Sequence, residues 1–252
     1  MTPVRVMARL DIKGPNVVKG IHLEGLRVVG KPNELARRYY EEGADEILFI
    51  DIVASLYGRN NILHIVEEAA RDVFIPMTVG GGIRSVDDIM RVLRSGADKV
   101  AVNTAAVRQP KLLREAATAF GSQCIVLSVE AKRQTPGRWE VYTDNGRERS
   151  GLDVLDWVSE AEQLGVGEVL VTSVDQEGTR AGLDLDLIEA VANRVSIPVI
   201  ACGGVGSVAH VIDVVERIGI DAVACASVFH YGLCSIPEMK RALTGKGVPV
   251  RP

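Results

Sequence analysis

Two acidic residues hold matching places in the two halves of the chain. Arg9-Leu-Asp-Ile-Lys13 is answered by Ser128-Val-Glu-Ala-Lys132, so Asp11 and Glu130 each close an apolar run of strand type. A pair of carboxyls suits proton transfer, one as base and one as acid, once burial or a neighbouring charge drives their pKa values apart. The plainer alternative is an ion pair with a nearby lysine, Lys13 or Lys19 for Asp11 and Lys132 for Glu130. A second signature is also doubled. Gly80-Gly81-Gly82 and Gly203-Gly204 each follow a short apolar run, and glycine lets backbone amides approach an anion at the start of the next helix. Asn103-Thr104 and Ser227 supply hydroxyl and amide donors one strand later in each half. The first cradle thus comprises Gly81, Gly82, Asn103 and Thr104, and the second Gly203, Gly204 and Ser227, with Gly178 a further candidate for binding substrate or phosphate. The arrangement describes a substrate with a phosphate at each end and its reacting centre between Asp11 and Glu130.

The elements that must position these groups are themselves repeated. Ile75-Pro-Met-Thr-Val-Gly-Gly-Gly-Ile83 returns as Ile197-Pro-Val-Ile-Ala-Cys-Gly-Gly-Val205, and Glu46-Ile-Leu-Phe-Ile-Asp51 as Glu168-Val-Leu-Val-Thr-Ser173. Short β-branched runs alternate with helical patterns along the whole chain, the mark of parallel βαβ units. Strands are expected near Val4–Leu10, Glu46–Asp51, Met77–Val79, Lys99–Asn103, Ile125–Val129, Glu168–Ser173, Val199–Ala201 and Ala222–Ala226, with amphipathic helices between them. This is an α/β pattern, a (β/α)8 TIM barrel built from two similar half-barrels, roughly 1–122 and 123–252, in one domain. On such a ring Asp11 and Glu130 stand at the ends of strands one and five, which face each other. Trp139-Glu-Val-Tyr-Thr143 running into Asp144-Asn-Gly146 predicts a β-hairpin with a type I′ turn after strand five. A long glycine-containing loop, Ile12 to Lys31, is expected after strand one, and both insertions should border the pocket.

Composition narrows the class of partner. With 252 residues, 47% of them hydrophobic, the chain has material for one large core. A net charge of −4 argues against a nucleic-acid surface or a polybasic membrane contact. No secretory leader and no membrane span are expected, which gives a cytoplasmic chain. Cys124, Cys202, Cys225 and Cys234 lack metal-type spacing and read as free thiols. The four histidines are scattered, so no metal site and no cofactor are expected.

At the opposite barrel face Arg5, Glu46, Lys99 and Glu168 begin strands one, two, four and six. Their alternating charges could form a ring at the axis, able to close it or to admit a small polar molecule; unremarkable surface ion pairs are the alternative. With these residues in place, the chain resembles the cyclase subunit family of imidazole glycerol phosphate synthase, HisF, over essentially its full length. The resemblance rests on Asp11-Ile-Lys, Val17-Val-Lys-Gly20, Val79-Gly-Gly-Gly-Ile83, Ala97-Asp-Lys-Val100, Asn103-Thr-Ala-Ala106, Phe120-Gly-Ser-Gln123 and Ala226-Ser-Val-Phe-His230.

The resemblance implies a lyase of histidine biosynthesis working as half of a glutamine amidotransferase. A glutaminase subunit, HisH-like, docks at the N-terminal face of the barrel, and ammonia enters through Arg5, Glu46, Lys99 and Glu168. It attacks an open-chain aminoimidazole ribonucleotide bearing a phosphate at each end, giving imidazole glycerol phosphate and releasing an aminoimidazole carboxamide ribonucleotide. Asp11 and Glu130 match the proton-transfer pair, and Lys19 a lysine that helps order the first loop over substrate. The chain also departs from the pattern: the family usually has aspartate at Glu130, cysteine at Arg9, serine at Cys202 and aspartate at Glu177. The longer acid advances its carboxyl by ~1.5 Å. These changes surround the pocket while the ring positions all match, which keeps a HisF-like ammonia-conducting partner in surface-polysaccharide amidation as the alternative. A phosphate-sugar isomerase on the same barrel would need no charged ring, and a scaffold that only docks the glutaminase would need no acids.

Overall fold

The computed structural model describes residues 3–54 and 62–251. In chain order its strands are β1 (Arg5–Lys13), β2 (Asn16–Ile21), β3 (Glu24–Gly30), β4 (Glu46–Asp51), β5 (Met77–Gly80), β6 (Lys99–Val102), β7 (Ile125–Thr135), β8 (Arg138–Thr143), β9 (Glu148–Asp153), β10 (Glu168–Ser173), β11 (Val199–Cys202) and β12 (Ala222–Cys225). Parallel pairing runs β1-β4-β5-β6-β7-β10-β11-β12 and returns from β12 to β1, so the sheet closes into a (β/α)8 barrel. Closure leaves these eight strands no free edge. Amphipathic helices follow the strands and bury their apolar stripes on the outside of the barrel, as Val86–Arg94 does with Ile89 and Val92. Its N-cap is Ser85, whose side chain accepts from the Asp88 amide.

The strand register fixes which side chains meet inside. Alternate residues of each strand face the axis, and the pairing climbs one residue per strand, so each interior layer is drawn from four alternate strands. Above the charged starts of the strands lie Met7, Thr78, Val126 and Ile200, then Leu48, Ala101, Leu170 and Ala224, then Arg9, Gly80, Ser128 and Cys202. One further step up on β1 and β7 gives Asp11 and Glu130 on opposite walls of the mouth.

One departure from the sequence-based expectations concerns the first insertion. Residues 12–31 are not a loop: β2 and β3 form an antiparallel hairpin that continues β1. Strand-type Val17-Val18 and Val28-Val29 carry the signal, but the turn residues His22 and Leu23 adopt left-handed φ values of 51° and 64° and lack the Asn-Gly pattern that marks a tight turn. The second insertion follows expectation, with β7, β8 and β9 antiparallel and Asp144 and Asn145 at φ 51° and 60°. Among the described residues no helix is long and apolar enough to cross a membrane. Cys202, Cys225 and Cys234 are buried and Cys124 half-buried, all as free thiols.

Candidate active site

At the N-terminal face Arg5, Glu46, Lys99 and Glu168 meet in a closed ring, the first of the two arrangements open to them from the sequence. Arg5 bonds Glu46 and Glu168, both at 3.0 Å, and Lys99 bonds the same two at 3.1 and 3.0 Å. Each cation touches two anions, so the ring is neutral. The Thr78 hydroxyl donates to the remaining Glu46 oxygen from the layer above.

At the opposite mouth the two acids sit in unlike surroundings. Asp11 lies in a buried line of alternating charge: Arg9 Nε donates to its Oδ1 at 2.8 Å, Lys19 Nζ to its Oδ2 at 2.7 Å, and Lys19 also bonds Glu177. All four side chains are at most 4% exposed. Burial alone would raise the Asp11 pKa, but the charges of Arg9 and Lys19 outweigh it and hold the carboxyl well below the usual range. Glu130 has no such partner, and the expected alternative pairing with Lys132 does not form. Its Oε2 accepts from the Gly146 amide at 2.8 Å and from Asn103 Nδ2 at 3.1 Å. Burial dominates there and pushes its pKa up to about 7. One acid is therefore a fixed anion and the other can exchange a proton near neutrality.

Glu130 opens onto a cavity of about 250 Å³ whose lining includes Gly81, Gly82, Asn103 and Thr104, the whole first cradle. Gly81, at φ 96°, leaves no room for a side chain, since a Cβ would fall 2.1 Å from the Asp51 carbonyl oxygen. The second cradle also assembles: Gly178, Gly203, Gly204 and Ser227 line one space with Lys19 and Glu177, but it holds only about 10 Å³. The β2–β3 hairpin lies down on it. The His22 amide donates to the Glu177 carbonyl at 2.7 Å, and a Cβ on Gly178 would meet the Gly20 carbonyl oxygen at 2.1 Å. The hairpin tip reaches the other insertion, Leu23 packing on Gly146.

Several site features were not drawn from the sequence. Short helices start at Thr104 (Thr104–Arg108) and Ser227 (Ser227–His230), one after the fourth and one after the eighth barrel strand. Their first residues, Thr104 and Ser227, line the two cradles, and the matching Asn103-Thr-Ala and Ala226-Ser-Val runs were the available clue. Arg9 was legible in principle, because residues 9 and 11 of a strand share a face. Asn145 could not be foreseen: it lines the first cavity, is 8% exposed, and its Nδ2 has no partner. No cluster suited to a metal ion occurs among the described residues.

Comparison with known proteins agrees with this architecture. A family model described as "Histidine biosynthesis protein" matches residues 5–235. The chain is 64% identical over 206 residues to the imidazole glycerol phosphate synthase subunit HisF of Legionella pneumophila, covering 82% of this chain and 97% of that protein. It is 49% identical over 251 residues to the subunit of the same name from Streptococcus sanguinis, with both chains fully covered.

Proposed function

The chain belongs to the histidine biosynthesis protein family, and on that premise we propose how it performs the reaction of a HisF subunit. It is the cyclase subunit of imidazole glycerol phosphate synthase, an enzyme of histidine biosynthesis. In our reading the substrate's two phosphates lie in the two cradles, Gly81, Gly82, Asn103 and Thr104 holding one and Gly178, Gly203, Gly204 and Ser227 the other. The reacting atoms of the aminoimidazole ribonucleotide then fall between Asp11 and Glu130. Glu130, with its pKa near neutrality, takes up and returns the proton. Asp11, held ionised by Arg9 and Lys19, supplies a fixed negative charge against the cationic character that nitrogen acquires on attack. Entry of a phosphate into the second cradle requires the hairpin to lift, and Lys19 lifts with it.

The partner is a glutaminase subunit, docked on the N-terminal face so that ammonia enters at the ring of Arg5, Glu46, Lys99 and Glu168. That face carries an apolar anchor: Phe74, 74% exposed just ahead of β5, with Tyr40 edge-on against it. We read the chain as one domain made of two half-barrels and as a cytoplasmic enzyme. The names of both relatives favour the histidine reaction over amidation of a polysaccharide sugar.

The observation that carries the site assignment is the shared cavity, in which a buried acid of raised pKa adjoins a complete phosphate cradle. The test is direct. The purified chain with an ammonium salt consumes the bisphosphorylated aminoimidazole substrate, and Asp11→Asn abolishes turnover; no consumption above background in the unaltered chain would exclude the reading.

A further inference from the structure

The barrel core is filled unevenly. Arg9 shares its interior layer with Gly80, Ser128 and Cys202, three of the smallest side chains available, so one long side chain occupies space the others leave. It reaches from β1 to the strands beyond the axis, where Nη1 donates to Thr172 Oγ1 on β10 at 3.0 Å and to Cys202 Sγ on β11 at 3.2 Å. Beneath this crossing lie Leu170 and Ile200, at 1% exposure each, and Arg9, Thr172 and Cys202 are at most 3% exposed. The other half of the same layer is open. Ser128 is only half-buried, and the cavity below Glu130 descends past it to Ala101, one layer deeper than Arg9. Ala101 and Ser128 line that descent beside Ile50, which packs over Gly80, with Thr78 underneath and bonded to the charged ring through Glu46.

Building on the axial entry of ammonia proposed above, we propose that Arg9 closes the barrel axis on the side of β10 and β11, so that the route from the charged ring opens into the pocket only over Ala101, beneath Glu130. Ammonia then meets the substrate on the Glu130 wall. Asp11 lies behind the guanidinium and is not passed on the way. A side chain as small as alanine at position 9 would leave both halves of that layer open to the same small molecule, so Arg9 is here a positioning residue that selects one of two paths.

The test uses the full chain with its glutaminase partner and compares substrate turnover supported by glutamine with turnover supported by a saturating ammonium salt, which enters from the pocket mouth. Taking the ratio of the two rates within one variant cancels any harm done to the pocket itself. Ala101→Leu fills the open side and lowers the glutamine-to-ammonium ratio by about tenfold, and the smaller Ala101→Val moves it the same way if the leucine variant folds poorly. Adding Arg9→Ala to either variant restores the ratio at least severalfold, because the second path opens. An unchanged ratio in both position-101 variants overturns the inference, as does a double variant that recovers nothing. If the unaltered pair turns over with ammonium but never with glutamine, the axial reading itself falls and this inference with it.

Discussion

Replacing Glu130 by aspartate tests whether the site is built around the longer acid. Oε2 of Glu130 sits 2.8 Å from the Gly146 amide and 3.1 Å from Asn103 Nδ2. Shortening the side chain withdraws the carboxyl by ~1.5 Å, which opens both contacts to about 4 Å or more, outside hydrogen-bonding range. The Gly146 amide belongs to the β8–β9 turn, whose left-handed residues Asp144 and Asn145 hold it in place, so the backbone has little freedom to follow. Misplacement of a reacting group on this scale costs on the order of 100-fold in kcat, or about 2.7 kcal/mol of barrier. The assay is steady-state consumption of the bisphosphorylated substrate with an ammonium salt, at saturation and across pH 6 to 8. The aspartate usual in the HisF family makes the outcome sharp. Turnover in Glu130→Asp equal to or above that of the unaltered chain would mean that the Gly146 and Asn103 contacts do not set the position of the reacting acid, and the reasoning would fail.

Glu130 also leaves a mark on stability. Its pKa is about 7 in the fold against an ordinary 4.5, so between those values the folded chain binds more protons than the unfolded one and stability falls as pH rises. Glu130→Gln removes this dependence, and its stability relative to the unaltered chain should rise by roughly 3 kcal/mol between pH 4 and pH 8 in chemical denaturation; a pH-independent difference would contradict the burial argument. Asn145→Gly removes an unpartnered amide from the cavity while tolerating the φ of 60°, and raises KM for the substrate severalfold with little change in kcat; unchanged KM would take Asn145 out of the binding site. Phe74→Asp weakens binding of the glutaminase subunit at least about tenfold by titration calorimetry and leaves ammonium-supported turnover intact, whereas unaltered affinity would move the docking surface elsewhere.

How far the fold could be read depended on what each signal records. Strands β4 and β10 were located to the residue because residues 47–50 and 169–171 are uninterrupted apolar runs behind a charge, as a strand buried on both faces requires. The short helices Thr104–Arg108 and Ser227–His230 were missed because five and four residues are too few for a helical period to register. The β2–β3 hairpin was missed for a different reason: its faces are set by contacts with Glu177, Gly178 and Gly146, far away in sequence. The site divides similarly. Asp11, Glu130, Asn103 and Ser227 were legible from the repeat and from their places at the ends of apolar runs, while Asn145 enters the cavity only because a left-handed turn folds over the mouth.

The repeat carries a consequence that the two matching acids conceal. Duplicated segments would give equivalent carboxyls equivalent environments, and two identical acids cannot divide the work of donor and acceptor. What separates them lies two residues earlier on the same face of each strand. Arg9 precedes Asp11 and Ser128 precedes Glu130, so one acid gains a buried guanidinium and the other a small hydroxyl-bearing neighbour with open space around it. Lys19 adds a second cation on the Asp11 side through the β2–β3 hairpin, while the β8–β9 insertion offers Glu130 only a backbone amide. The same arginine that keeps Asp11 ionised occupies the barrel core on its own side and leaves the passage beneath Glu130. Charge state and access are thus set together by one side chain. Removing Arg9 should therefore move the Asp11 pKa upward and open the second half of the core at once, two effects that no substitution at Asp11 itself could produce.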